Sequence, residues 1–165
     1  MILGALLEFV LGNTFPFVVF GTFGAFWFTF GATLTPSFNA SIAYLPDDPA
    51  ASAADPTFQS SFAFFQVYMG LLCFVYMIIS LRTNLVFFLI FLLLVPSFGC
   101  LAAFFFTHGT NATYLTAAGA MTFVICLLGW YLFFVQLLAA VDFPLNLPVG
   151  DLSRFVKGAS ERKSQ

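Results

Sequence analysis

Leu85–Phe106 reads "LVFFLIFLLLVPSFGCLAAFFF", a run without a single charged residue. About 20 consecutive apolar residues are what a helix needs to cross the hydrocarbon core of a bilayer. Three further stretches meet that requirement, Phe15–Leu34, Phe62–Leu81 and Tyr114–Ala140, the last long enough to tilt or to project beyond the bilayer. Lipid is then the only workable solvent, because charged residues make up 7% of the chain against about 25% in a soluble domain. The 26 Phe residues agree, since a water-facing fold of this size has too little interior to bury them. A transmembrane barrel needs apolar/polar alternation, and "LVFFLIFLLLV" has none. The expected fold is therefore all-α: a polytopic transmembrane helical bundle of four full spans, preceded by a half-span stub at Met1–Phe9.

The connections set the organisation. Thr35–Ser61 carries Pro36, Pro46, Pro49 and Pro56 with Asp47, Asp48 and Asp55, a density that predicts a loop rather than helix. "RTN" at Arg82–Asn84 is a minimal turn, and "THGTNAT" at Thr107–Thr113 is a short polar link. Residues 1–140 form the membrane domain, and 141–165 form a tail that begins amphipathic and ends polar. Every Lys and Arg, namely Arg82, Arg154, Lys157, Arg162 and Lys163, falls in that turn or that tail. With four spans these lie on one side, and the positive-inside rule makes it the cytoplasmic one. The Glu8–Thr14 link shares that side. The outer loops then hold both N-x-S/T sequons, at Asn39 and Asn111, the candidate glycosylation sites.

The spans themselves carry few polar groups. Gly21, Gly24 and Gly31 fall on nearby faces of the first span, where small residues let helices pack closely; flanked by Phe23, Phe26 and Trp27, the same face also suits an apolar pore lining. Pro96 removes one hydrogen bond from the third span and is expected to kink it. Gln66 and Tyr68, near the outer end of the second span, and Gln136 in the fourth read as interhelical glue. Cys73, Cys100 and Cys126 lie in apolar runs without CxxC spacing and read as buried small hydrophobes. His108, the lone histidine, sits in an exposed link. No Asp, Glu, Lys, Arg or His occurs inside a span. That excludes a relay of ionisable groups, a voltage sensor, and the carboxylate pairs, metal ligands or nucleophile–base pairs of an intramembrane enzyme. No enzyme activity, metal, cofactor or nucleic-acid partner is expected; the lipid bilayer is the main partner.

"LLEFVLGNTF" followed by "FGTFGAFW" resembles the acetate uptake transporter family, which includes succinate–acetate permeases and fungal acetate- and ammonia-linked relatives. In that family the second helix ends in Glu, a short link carries Gly-Asn-Thr-Phe, and the third helix carries Tyr-Gly-x-Phe-Trp. The matching residues are Glu8, Gly12, Asn13, Thr14 and Phe15, then Phe23, Gly24, Phe26 and Trp27. The resemblance continues through "SLRTNLVFFLIFLLL" to "FPLNLPVGDLS", which looks fungal, and covers essentially the whole chain. It implies a six-helix protomer in a hexamer of the plasma membrane, taking up acetate and related small monocarboxylates by a proton-linked or channel-like route. The constriction it implies uses Phe23, where the family usually has Tyr, and Leu94, with Leu93 as the alternative. The family's first helix and its Asn-Pro-Ala-Pro-Leu-Gly-Leu signature have no counterpart here, so the chain aligns with the C-terminal two-thirds of a six-helix protein.

From the residues themselves, Asn13 or Thr14 is expected to cap the helix that Phe15 and Pro16 begin, and Glu8 to pair with a base or a helix end. Without the two preceding helices, the Gly21/Gly24 face is expected to meet lipid, and the chain alone is expected not to transport. The alternatives to acetate transport are a non-transporting fragment, a regulatory or scaffold subunit, and a protein linked to ammonia export.

Overall fold

A computed structural model describes residues 1–48 and 51–156. Pro49, Lys157, Arg162 and Lys163 lie outside the described residues. The described chain is helical, with α1 at Ile2–Val10, α2 at Thr14–Leu34, α3 at Pro56–Ser80, α4 at Leu85–Phe106 and α5 at Ala112–Ala140. Four of these, α2 to α5, are long and apolar enough to cross a membrane. The chain is an integral, multi-pass membrane protein. It divides into two compact units, 1–58 and 59–165.

In the first unit α1 and α2 form an antiparallel hairpin. Ala5 lies against Gly21, Gly4 against Phe20, and Phe9 meets Phe17 in a tilted pair with ring centroids 5.1 Å apart. Numbers rise on one helix as they fall on the other. The close approach depends on Gly24: a Cβ there would lie 2.6 Å from Ile2 Cδ1 and 3.2 Å from the Ile2 amide nitrogen. The Gly21/Gly24 face is thus covered by α1, against the expectation that it meets lipid. Gly31 has open space around it and does not belong to that contact. After α2, short 3₁₀ turns at Pro36–Phe38 and Ser52–Ala54 punctuate the loop, and the Ser41 and Ser52 hydroxyls meet at 2.8 Å.

The loop ends six residues before the expected point. Asp55 accepts from the amides of Thr57 and Phe58 at 2.8 and 3.1 Å, and Pro56 takes the first helical position, where its missing N–H costs nothing. The Asp-Pro pair read as a helix breaker is a helix start, so α3 runs from Pro56 and includes Thr57–Ser61.

In the second unit α3 packs antiparallel to α4. Phe62 meets Phe105, Phe64 meets Phe106 and Tyr76 meets Phe91, with ring centroids 4.9, 5.2 and 5.5 Å apart. A Cβ on Gly70 would lie 3.4 Å from that of Phe98. The buried side of α3 is a stripe at helical spacing: Phe62, Ala63, Gln66, Met69, Gly70, Cys73, Tyr76 and Ser80. α4 continues through Pro96 and packs on α5, where the Ser97 hydroxyl donates to the Ala118 carbonyl at a long 3.4 Å. Of the cysteines expected to be buried, Cys73 is, Cys100 is half-buried and Cys126 is exposed, because α5 turns most of its apolar surface outward.

The tail returns to the bundle. The Leu85 amide donates to the Gly150 carbonyl at 2.7 Å and the Val86 amide to Val149 at 3.4 Å, while the Asn84 side chain accepts from Phe87 at 2.8 Å. These three amides precede the first intrahelical bond, from Phe88 to the Asn84 carbonyl at 3.1 Å. The unpaired N-terminal donors of α4 are therefore satisfied by its own cap and by the segment at 149–150. Leu152 donates back to the Thr83 carbonyl at 3.1 Å, and the Tyr131 hydroxyl donates to Pro148 at 2.7 Å. Asp151 accepts from the Ser153 hydroxyl and amide, bonds that, with Arg154 nearby, hold its carboxyl below its usual pKa. This small contribution is present above the ordinary carboxylate range and is lost as pH falls through the lowered value.

Gly150 has φ +69°, and a Cβ on it would lie 2.8 Å from that of Leu85. Gly150→Ala should therefore destabilise the strap by about 1–2 kcal/mol from the left-handed backbone alone. The expected result is a lower melting temperature of the detergent-purified protein, with earlier proteolytic release of the tail.

Candidate functional site

The Glu8–Thr14 turn is fixed mainly by backbone geometry. Gly12 adopts φ +78° just beyond the end of α1. Its amide bonds the Phe9 carbonyl at 3.1 Å, and the Asn13 amide bonds the Glu8 carbonyl at 2.9 Å. This pair of bonds is a Schellman motif, which satisfies the last carbonyls of a helix and needs a residue tolerant of left-handed backbone at the Gly12 position. The Asn13 side chain then donates to the Glu8 carboxylate at 2.7 Å. Two expectations change as a result. Asn13 occupies the position before α2 but makes no side-chain cap there, and Thr14 is already the first residue of the helix. Among the described residues Glu8 takes neither a base nor a helix end; its partner is the Asn13 side-chain amide, brought within reach by the turn. Phe15 is half-buried at the start of α2.

About two turns further along α2 lies an aromatic cluster. Phe23 and Phe26 are buried, and Trp27 is exposed. Phe26 sits at the centre, with ring centroids 6.4 Å from Phe23, 5.1 Å from Trp27 and 5.5 Å from Phe30. Gly24 and Trp27 join Met1, Ile2, Leu3 and Phe28 around an open apolar cleft of about 460 Å³. Aromatic pairs of this kind add about 0.5–1.5 kcal/mol beyond their burial and hold the Phe23 side of α2 in one arrangement. In the second unit Leu94 and Leu93 are both half-buried on α4.

The sequence placed Gln66 near the outer end of a span as interhelical glue. The structure differs on both points. Because α3 begins at Pro56, Gln66 is two residues from the middle of the helix, about 3 Å along its axis. Its side chain is 0% exposed, and neither its oxygen nor its nitrogen has a hydrogen-bond partner among the described residues. The ring contacts of α3 on α4 set the register and bring Gln66 level with Leu101 and the buried Ala102, whose side chains offer neither donor nor acceptor. An unsatisfied buried polar group costs about 1–3 kcal/mol. The one sequence signal for it was a lone carboxamide inside an otherwise apolar stripe. Tyr68 and Gln136, read in the same way, are exposed.

Asn39 and Asn111 are exposed in the loops. The Asn111 side-chain oxygen accepts from the Thr113 amide at 3.1 Å and caps α5. His108 has φ +52° and closes the end of α4, where the Gly109 amide bonds the Phe104 carbonyl at 3.0 Å. No group of three or more metal-ligating side chains is gathered among the described residues.

The model of the GPR1/FUN34/yaaH family matches residues 1–154. The chain belongs to that family. Its relatives include the protein alcS of Aspergillus fumigatus, 43% identical over 94% of this chain. The acetate transporter protein patA of Aspergillus clavatus is 32% identical over 93% of this chain. The ammonia transport outward protein 2 of Saccharomyces cerevisiae is 25% identical over 79% of it. The chain spans about three-fifths of the length of alcS and patA, 60% and 61%, and 43% of the yeast protein. No solved structure matches.

The α1–α2 hairpin is directly testable. The Cβ that Gly21 lacks would lie 3.8 Å from that of Ala5, within the range a disulfide spans. With Cys73, Cys100 and Cys126 replaced by Ala, the pair Ala5→Cys and Gly21→Cys should cross-link on mild oxidation in membranes, read as altered gel mobility. Adding Gly24→Leu should reduce that cross-linking severalfold.

Proposed function

We propose that this protein moves acetate and related small monocarboxylates across the plasma membrane, in the protonated form or together with a proton. The observation that carries the proposal is membership of a family in which patA, 32% identical to this chain, is named an acetate transporter. The composition of the spans supports it. They contain no Asp, Glu, Lys, Arg or His, so a charged solute would cross without a compensating charge, at high desolvation cost. A protonated acid avoids most of that cost, and an apolar constriction selects for it.

In this proposal Phe23 and Leu94 form the narrowest part of the pathway, and Phe26 and Trp27 support it. The buried aromatic cluster around Phe23 is what supports the first assignment. Residues 1–140 serve as the membrane domain. Arg82 and the tail face the cytoplasm, and Asn39 and Asn111 face outward. The strap bonds of Leu152 to Thr83 and of Leu85 to Gly150 support a common side for the turn and the tail. We further propose a hexamer, for which the exposed apolar flank of α5 offers surface.

Uptake of labelled acetate in cells lacking their own carriers tests the proposal. Against the expectation that the chain alone does not transport, and because α1 covers the Gly21/Gly24 face on which that expectation partly rested, expression of the chain should confer saturable uptake that falls as external pH rises above the pKa of acetic acid. Phe23→Ala should raise butyrate uptake relative to acetate by about tenfold, the scale set by methylene groups in an apolar pocket, and Phe23→Tyr should leave the ratio unchanged. No uptake above background at full surface expression would reject transport, and an unchanged ratio in Phe23→Ala would reject the constriction.

A further inference from the structure

The Gln66 carboxamide is the one fully buried side chain among the described residues whose donor and acceptor are both without a partner. It lies near the middle of α3, inside the stripe that packs within its own protomer. At 0% exposure it is closed to a neighbouring copy. Its level on α4 is apolar. Ser97, a little over one helical turn away on α4, turns toward α5 and already spends its hydroxyl on the Ala118 carbonyl. A carboxamide presents an N–H donor beside a C=O acceptor on one planar edge. Its complement is a small neutral molecule with the same pair reversed, and a protonated carboxyl group is such a molecule.

We propose that Gln66 is the polar recognition point for the neutral carboxylic acid in the bundle, an inference that rests on the transport reading above. The acid O–H donates to Gln66 Oε1, and Gln66 Nε2–H donates to the acid carbonyl, so two antiparallel hydrogen bonds close a ring. The ionised acid keeps only one of these bonds and sets a carboxylate oxygen against Oε1. Gln66 thus selects the protonation state as well as the functional group, without any Asp, Glu, Lys, Arg or His in the spans. Ammonia also carries both a donor and an acceptor, but lacks the planar edge that would engage both groups of the amide at once.

The full chain, expressed in cells lacking their own acetate carriers, tests this with labelled acetate against three competitors. Acetamide has the same planar donor–acceptor edge, acetone has the acceptor alone, and methylamine stands for the amines. Acetamide should inhibit acetate uptake, and acetone and methylamine should not. Gln66→Leu should raise the acetate KM by about tenfold or more, as expected for the loss of two hydrogen bonds in an apolar site, and should abolish acetamide inhibition. Its melting temperature in detergent should be unchanged or higher, because an unsatisfied buried amide has been removed. A wild-type KM and wild-type acetamide sensitivity in Gln66→Leu would overturn the assignment while leaving transport standing. A lower melting temperature would make the carboxamide structural and overturn it too, and equal inhibition by methylamine would overturn the acid as its ligand. If the wild-type chain takes up no acetate at full surface expression, the transport reading fails, and this inference fails with it.

Discussion

In lipid every backbone N–H and C=O must find its partner within the protein, and the ends of the helices are where this is hardest. The described chain meets that demand in several ways. Schellman turns close α1 at Gly12, α4 at His108 and α5 at Asp142. Side-chain caps from Asp55, Asn84 and Asn111 open α3, α4 and α5. Within the spans, threonine hydroxyls donate to their own helix, as Thr22 does to Val18 and Thr122 to Ala118 at 2.8 and 2.9 Å. The strap at 149–150 belongs to the same set, since it supplies carbonyls that α4 lacks. Many of the polar residues that look out of place in so apolar a sequence occupy helix ends.

Against that background Gln66 is an exception rather than one more cap. A buried carboxamide whose oxygen and nitrogen are both unbonded is tolerated where something outside the fold gives it a use. The spans hold no Asp, Glu, Lys, Arg or His, so a transported acid would have to be recognised by neutral chemistry. In the proposal above, Gln66 supplies a hydrogen-bonding edge of that kind.

The spans were legible because hydropathy alone fixes them: α4 coincides with the expected Leu85–Phe106, and α5 starts two residues before the expected Tyr114. The start of α3 was missed because proline and aspartate were weighed as breakers, when Asp55 followed by Pro56 is also how a helix begins. The use of Glu8 and Asn13 was missed for a related reason. Each is a plausible cap or ion-pair partner by type, and only the left-handed backbone at Gly12 brings them together. The strap at 143–152 gave no hydropathy signal, because its bonds to α4 are made by backbone carbonyls. The Gly21/Gly24 face was recognised as a packing face, but its partner, the short α1, was not.

The central claim is a four-span helical bundle whose Arg82 turn and strapped tail share one side, which we propose is the cytoplasmic one. Single cysteines at Asn39, Thr83, Asn111 and Ser153, in a chain otherwise free of cysteine, can be labelled with a membrane-impermeant maleimide. In intact cells the positions 39 and 111 should react, and the positions 83 and 153 should react only after permeabilisation. Labelling of 83 and 153 from opposite sides of the membrane would contradict the account, because the hydrogen bonds between Thr83 and Leu152 and between Leu85 and Gly150 could not then form.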